Sequence, residues 1–407
     1  MKTTAIISEY NPFHNGHKYL IEKSRQNGST HIIAIMGGNF LQRGNCAILD
    51  KYRRAESAVL GGVDLVLELP QIYAASSAEK FAFGAVQTLN DCGCVNELAF
   101  GAERGDISML KRTVDIIAQS GEAETLSKQY VKQGYSHPRA MQAAVENISR
   151  HGDNISDILK SPNNTLAIEY IRAINNIHSN ITPFAVKRMG AMHGSNITER
   201  EFASASAVRE MILNGDNYYK QFIPDTTAEI ITDCIKSGEC PAEFKNNDRG
   251  IMTILRSMTA ADFAKIPDVT EGLENRLVRA VRNNNSVSDI ITAVKCKRYT
   301  HARLSRIIAC AYLGITKEIS SLAPKYIRVL AFNDRGTDIL KMMKKSASLP
   351  VIMSPARDMK KLDDMGKKIF EVDLRASDLY GVLTPKVQGC GKDFYKGAVK
   401  VKKIKSL

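Results

Sequence analysis

Tryptophan is absent from this chain of 407 residues, and aromatic residues make up only 7% of it. Stacking of a side chain on a nucleobase therefore falls to tyrosine, phenylalanine or histidine. No apolar run approaches the roughly 18 residues that a membrane-spanning helix needs, so no membrane partner is expected. The opening residues read as a strand and a polar turn, not as a basic and then apolar export signal, and a cytoplasmic location is the expectation. Eight cysteines, at 46, 92, 94, 234, 240, 296, 310 and 390, lack the two spaced pairs of a zinc site. Cys92 and Cys94 form a lone C-x-C, and the set reads as reduced, mostly buried thiols with no metal site. Internal repeats and low-complexity linkers are also missing, and the length suits two or three domains. The sequence leaves the oligomeric state open.

The charge is present but uneven. Residues 1–281 carry 30 Lys and Arg against 32 Asp and Glu, whereas residues 282–407 carry 26 against 11. The formal net charge of +13 thus resides in the last third of the chain. Such asymmetry points to a polyanionic partner held by a part of the chain distinct from a neutral first half.

The first hundred residues alternate short apolar runs with amphipathic segments. Strands are expected at Thr4–Ser8, His31–Met36, Asp64–Leu69 and Asn96–Phe100, with helices at Gly16–Gln26, Asp50–Leu60 and Ser76–Asp91 between them. Continuous apolar strands separated by helices predict an α/β fold, with a parallel sheet covered on both faces. Residues 106–150 read as helical, broken near Gly134–Pro138. A helix is expected at Leu166–Ile177 and a strand at Pro183–Arg188. The alternation stops at Gly215-Asp216, which divides the chain into an α/β portion, 1–215, and a mostly helical basic portion, 216–407. Within the second, Tyr326–Phe332 and Pro350–Met353 are apolar enough for strands, leaving room for a small α/β portion near 325–385.

In open parallel sheets ligands sit beyond the carboxyl ends of the strands. Directly after the first strand comes Glu9-Tyr10-Asn11-Pro12-Phe13-His14-Asn15-Gly16-His17, and a helix follows at once. Two histidines three apart, with a glycine between them, stand where a helix N-terminus already offers free N–H groups and a positive dipole end. The pattern suits the phosphates of a nucleotide, and His14 and His17 are the catalytic candidates. Ser204, Ser206 and Arg209 form an S-x-S-x-x-R turn at a second helix N-terminus. They could serve the other side of a triphosphate, or Ser204 could simply cap that helix. Lys18, Lys187 and Arg188 could add positive charge. Gln42, Arg43 and Lys51 lean toward the pocket. Asp64 and Glu68 read as structural, paired carboxylates.

A second cluster, Lys295-Cys296-Lys297-Arg298-Tyr299-Thr300-His301-Ala302-Arg303-Leu304-Ser305-Arg306, holds six basic residues in twelve. Cations with an interleaved tyrosine suit an RNA backbone and an occasional stacked base. On one helix, Lys295, Arg298, Arg303 and Arg306 would share a face. Lys297, Arg298, Tyr299, Arg303 and Arg306 are therefore the RNA-binding candidates, against the alternative of a solvated basic face.

Taken together, these segments resemble the bacterial tRNA(Met) cytidine acetate ligases, within the HIGH-type nucleotidyltransferases. The resemblance rests on the block Glu9–His17, on Gly38–Gly44, Asp64–Pro70, Phe100-Gly101-Ala102-Glu103 and Ser161-Pro162-Asn163-Asn164, and on Lys297–Arg303. Cys46 replaces an expected proline, and the turn Lys187-Arg188-Met189 matches loosely. The resemblance implies a Rossmann-like domain that binds ATP, with magnesium accompanying it, and activates acetate as acetyl-adenylate. Acetyl would then pass to N4 of the wobble cytidine of elongator tRNA(Met). It implies ATP contacts along Ile7, Ser8, Glu9, Tyr10, Asn11, Pro12, Phe13, His14, Asn15, Gly16, His17, Lys18, Tyr19 and Leu20. Gly101 would leave room for the adenosine, and Asn163 and Arg188 would hold it. Two rival readings are a small-molecule adenylyltransferase of the cofactor-building kind and a non-catalytic RNA-binding protein.

Overall fold

The computed structural model describes residues 1–118, 121–149, 155, 158–188, 202–270 and 272–402. The loosely matched Met189, parts of the helical stretch 106–150 and the last five residues of the basic tail lie outside the described residues. Eight strands form one sheet: β1 Thr3–Ser8, β2 His31–Gly37, β3 Leu65–Leu69, β4 Glu97–Ala102, β5 Thr182–Lys187, β6 Ile327–Phe332, β7 Val351–Ile352 and β8 Val399–Lys400. The order is β5-β4-β1-β2-β3-β6-β7, with β8 paired to β6. Strands β1 to β5 are mutually parallel, and β6 joins β3 antiparallel.

The strands are apolar throughout because both faces are covered. Ala5, Ile7, Ile33, Ile35, Leu65 and Leu67 point into one core, while Ile6, Ile32, Ala34, Met36 and Val66 point into the other. This is the twofold alternation of a strand, with apolar residues in both phases. Helices α1 Asn15–Gln26, α2 Lys51–Leu60, α3 Gln71–Ala74, α4 Ala78–Asp91, α5 Ile107–Ala118, α6 Glu122–Lys132, α7 His137–Ile148, α8 Pro162–Asn176 and α9 Ala205–Leu213 follow in chain order. Helix α8 begins four residues before the expected Leu166. Pro162 suits the first turn, and the carboxylate of Glu103, from the end of β4, accepts from the Asn164 backbone N–H at 3.0 Å.

The helical second part does not stand apart from the sheet. Ile251, Leu255, Phe263, Leu277, Ile290 and Leu304 belong to the same core cluster as the sheet face that holds Ile33 and Leu67. Strand β6 extends the sheet of the first half, so hydrogen-bonded backbone crosses the boundary near Gly215. A buried square of charge reinforces that crossing. Lys51 lies 2.9 Å from both Glu68 and Asp393, and Arg328 lies 3.1 Å from each of the same two carboxylates. Asp64 likewise pairs with Arg25 at 2.6 Å and accepts from the Ile32 backbone. Both strand carboxylates are thus structural, as their place in an apolar strand suggested. Lys51 does not line the cleft between β1 and β4: it is buried in this square, since two carboxylates in a dry interior require two cations.

Candidate active site

Strand β1 leads to β2 and β3 on one side, and β4 leads to β5 on the other. The chain reverses direction across the sheet between β1 and β4, the place where such sheets open a crevice. Pairing of β1 with β4 runs from Thr4–Glu97 to Ile6–Ala99 and goes no further. Beyond it lies a cleft of about 460 Å³, lined by the ends of both strands, the N-terminus of α1 and the first turns of α8 and α9. That volume falls within the range of small-molecule and cofactor sites.

His14 is the N-cap of α1. Its Nδ1 accepts from the Gly16 backbone N–H at 3.0 Å, and His17 Nδ1 accepts from the His14 backbone N–H at 3.1 Å. This is a reciprocal capping box in which two imidazoles replace the usual serine and glutamate. The two rings stack with centroids 3.8 Å apart. A ring nitrogen that accepts from a backbone N–H carries no proton, so the proton of each neutral ring belongs on Nε2. Burial pushes the His14 pKa down to about 3, helped by the charges of Arg188 and Arg209. Burial also holds His17 well below its usual range, with His14 and Arg188 adding to the effect. Each ring is therefore a neutral donor through Nε2–H. Gly16 has a local reason to be glycine: a Cβ there would lie 2.8 Å from His14 Cε1 and would push the ring out of its capping position.

The loops around the pair are anchored from beneath by Arg54, a fully buried guanidinium. It donates to the carbonyls of Glu9 at 2.6 Å, Gly37 at 3.1 Å and Leu49 at 3.0 Å, and also to that of Gly38. One side chain thus ties together the turns that leave β1 and β2. Tyr10 adopts φ +47°, a left-handed conformation costly for a residue with a ring, inside the segment so tied. Glu9 Oε1 accepts from the Gln42 backbone N–H at 2.9 Å, and Arg209 donates to the Asn11 carbonyl at 2.9 Å.

Of the expected nucleotide contacts, Ile7, Ser8, Glu9, Tyr10, Asn11, His14, Gly16, His17, Tyr19, Leu20, Gly101, Asn163, Lys187, Arg188, Ser204, Ser206 and Arg209 line the cleft, as do Gln42 and Arg43. Pro12, Phe13, Asn15 and Lys18 do not. Phe13 is buried against Gly61, Asn15 donates to the Gln221 carbonyl at 3.2 Å, and Lys18 lies on the exposed side of α1. Ser204 caps α9 through its hydroxyl, while Ser206 accepts from Arg209 at 3.0 Å. Over Gly101 the space that a Cβ would need is taken by Arg188, whose Cγ lies 3.2 Å away. Asn163 donates to Glu103 at 2.6 Å, which fixes both residues at the rim. Phe81, Phe100, Leu166, Tyr170 and Phe202 complete the apolar wall. Only Leu166 and Tyr170 share an element, α8; the others come from α4, β4 and the segment before α9, so the assembled fold brings the wall together.

The basic run is arranged differently from the expected single helix. Lys295–Tyr299 form a loop, and the helix His301–Leu313 begins only after Thr300, whose hydroxyl caps it. Cys296 N–H bonds back to the Tyr299 carbonyl, closing the loop. Arg306 pairs with Asp268 at 2.9 Å, and Arg303 donates to the Asp268 carbonyl at 2.7 Å and to Thr270 at 3.0 Å. Tyr299 is buried, with Arg303 5.1 Å from its ring centre. Lys297 is exposed and Arg298 half-buried. This helix packs directly on the loop that carries Gln42 and Arg43. Gly44, at φ +79°, sits so close to the backbone of Ser305 and Arg306 that a Cβ would collide with it.

Comparison with known proteins supplies the remaining findings. A family model for the HIGH Nucleotidyl Transferase matches residues 1–393. A tRNA(Met) cytidine acetate ligase of Thermoanaerobacter sp. (strain X514) is 37% identical over 406 residues, covering 98% of this chain and 100% of that one. That of Caldanaerobacter subterraneus subsp. tengcongensis is 38% identical with the same coverage. A crystal structure of Thermotoga maritima TmcAL bound with alpha-thio ATP superposes with a TM-score of 0.91 at 32% identity, over 98% of this chain and 100% of that one.

Proposed function

The chain belongs to the tRNA(Met) cytidine acetate ligases of the HIGH nucleotidyl transferase family, and from that premise we propose how its cleft carries out the ligation. The protein is an ATP-dependent ligase. It joins acetate to ATP as acetyl-adenylate and passes the acetyl group to N4 of the wobble cytidine of elongator tRNA(Met). The triphosphate lies over the N-terminus of α1, with Ser204, Ser206 and Arg209 on its far side. The adenosine lies toward Gly101, Asn163 and Arg188 at the ends of β4 and α8.

In the first step an acetate oxygen attacks the α-phosphorus and pyrophosphate leaves. Acetate is already anionic at neutral pH, so no base is required. Negative charge grows on the α-phosphate oxygens, and the Nε2–H groups of His14 and His17 meet it from fixed positions, together with the helix N-terminus. The neutrality of both rings keeps their hydrogen-bonding roles constant across physiological pH. Magnesium would enter with the triphosphate as part of the substrate. Among the described residues no three His, Cys, Asp or Glu side chains gather to hold a metal of their own.

In the second step the exocyclic amine forms a C–N bond to the acetyl carbon while the C–O bond to AMP breaks. The anticodon must therefore reach the cleft. The direct packing of the basic helix against the Gln42-Arg43-Gly44 loop supports delivery from that side. The residues up to 215 would supply most of the nucleotide site and the residues after 216 most of the RNA grip, although both share one core.

The observation that carries this reading is the His14–His17 capping box at the β1–β4 crevice. Its test is acetate-dependent ATP–pyrophosphate exchange, followed by mass spectrometry of nucleosides from tRNA incubated with protein, ATP and labelled acetate. His14→Ala should lower exchange by about 100-fold or more and leave tRNA affinity within about two-fold. Exchange driven by a nucleotide or a pantetheine phosphate in place of acetate would instead favour a cofactor-building adenylyltransferase.

A further inference from the structure

The expected RNA contacts Arg303 and Arg306 are engaged in holding Asp268, which leaves open where the backbone of a tRNA would rest. A different element offers cations that pair with no carboxylate among the described residues. The helix Leu273–Asn283 buries Leu273, Leu277, Ala280 and Val281 and turns Arg276, Arg279 and Arg282 to solvent. At about 100° per residue these three positions fan over about 120° of the helix's exposed side as a broad stripe, and their Cα atoms climb about 9 Å along its axis. Among the described residues none of the three makes an ion pair. Arg276 is steadied but not neutralised: it donates to the Ala293 carbonyl at 3.4 Å and stands 5.9 Å from the ring centre of Tyr299. Tyr299 closes the loop that carries the exposed Lys295 and Lys297, so stripe and loop adjoin.

We propose that Arg276, Arg279 and Arg282, with Lys295 and Lys297, form the track on which the sugar–phosphate backbone of the tRNA lies; this rests on the reading of the chain as a tRNA-acetylating ligase. Three observations carry it. Residues 273–300 hold six Lys and Arg against two acids, Glu274 and Asp289, an excess that a polyanion satisfies and that solvated helix faces usually offset with paired acids. The exposed neighbours of the stripe are Asn275 and Asn283, polar residues that hydrogen-bond to sugars and phosphates and give a lipid bilayer nothing apolar to bury. Finally, the track is continuous with the cleft. From Tyr299 the chain enters the helix that packs on Gly44, one residue from Arg43 at the cleft mouth. Arg303 and Arg306 serve as struts that fix this helix to Asp268, and they contribute to the track by position.

The test is the full-length triple variant Arg276→Ala, Arg279→Ala, Arg282→Ala, assayed for binding to a tRNA(Met) transcript across a salt series. Affinity should fall by about 10- to 100-fold near 0.1 M salt. The slope of log affinity against log salt should become shallower by about two, as expected when three phosphate contacts are lost. Acetate-dependent exchange should be unchanged. The Arg→Lys triple, which keeps the charge, should retain the wild-type slope. An unaltered affinity and slope in the alanine triple would overturn the proposal. Should that triple fail to fold, Arg279→Ala alone decides by the same two measurements, with a slope shallower by about 0.7 expected. Failure of the wild-type protein to bind tRNA at all would instead defeat the functional reading on which the track depends.

Discussion

At the scale of single residues, the chemistry depends on where two protons sit. His14 and His17 each give Nδ1 to a backbone N–H, so each presents Nε2–H to the cleft. A protonated imidazolium could not accept that capping bond, and burial already opposes its charge. The rate of acetate-dependent exchange should therefore show no limb near the ordinary histidine pKa of about 6.5 between pH 6 and 8. Stability behaves otherwise. An unfolded chain takes up protons on these histidines below about pH 6.5, while the folded chain keeps His14 neutral down to about 3. The unfolded state thus binds more protons in that window, and stability should drop as pH falls through it. Thermal melts of the wild type from pH 7 to pH 4 should show the decline, and His14→Gln should flatten part of it. Melting curves equally steep for both proteins would contradict the assignment.

At the scale of elements, the site is a junction of turns. The loops after β1 and β2 bury apolar side chains such as Tyr10, Phe13, Phe40 and Leu49, but these leave the loops' backbone carbonyls in need of donors. Arg54, projecting from α2, ties them through four carbonyl groups. Replacing it with methionine keeps the bulk and removes every donor, leaving buried carbonyls unpaired at about 1–3 kcal/mol each where water cannot reach. Arg54→Met should lose about 3 kcal/mol or more in urea unfolding and weaken ATP binding. Loss of ATP binding with unchanged stability would show that the tie matters to the ligand alone. The motif residues His14, Gly16 and His17 were legible in sequence because capping, glycine spacing and strand-to-helix position are local properties. The role of Arg54 was not, since its partners lie 5 to 45 residues away and backbone carbonyls leave no mark in a sequence.

At the scale of the whole molecule, one sheet and one large core bind the two halves, and Gly44 marks where they touch beside the cleft. Gly44→Ala would place a Cβ against the backbone of Ser305 and Arg306, at a φ of +79° that alanine itself disfavours. The helix His301–Leu313 would have to retreat from the Gln42-Arg43 loop. Acetyl transfer to tRNA should then fall by about 10-fold or more, following the sensitivity of such reactions to misplacement of about 1 Å, while acetate-dependent exchange falls far less. Equal losses in both assays would argue that the contact supports the nucleotide site rather than RNA delivery.

The sequence alone determined the alternating α/β order, the strand positions from β1 to β4, the histidine signature and the location of the basic excess. Each is written in neighbouring residues, through periodicity, caps and turn-forming side chains. It also placed Tyr326–Phe332 as a strand, because a short apolar run carries its own signal. Only the tertiary structure decided that this strand completes the first half's sheet, that Lys51 is buried beside Glu68 and not in the cleft, and that Arg303 and Arg306 hold Asp268. Those outcomes turn on partners far along the chain, Asp393 for Lys51 and Asp268 for the arginines. A charged side chain reads the same in sequence whether it faces water, a ligand or a buried counter-ion, and folding alone selects among the three.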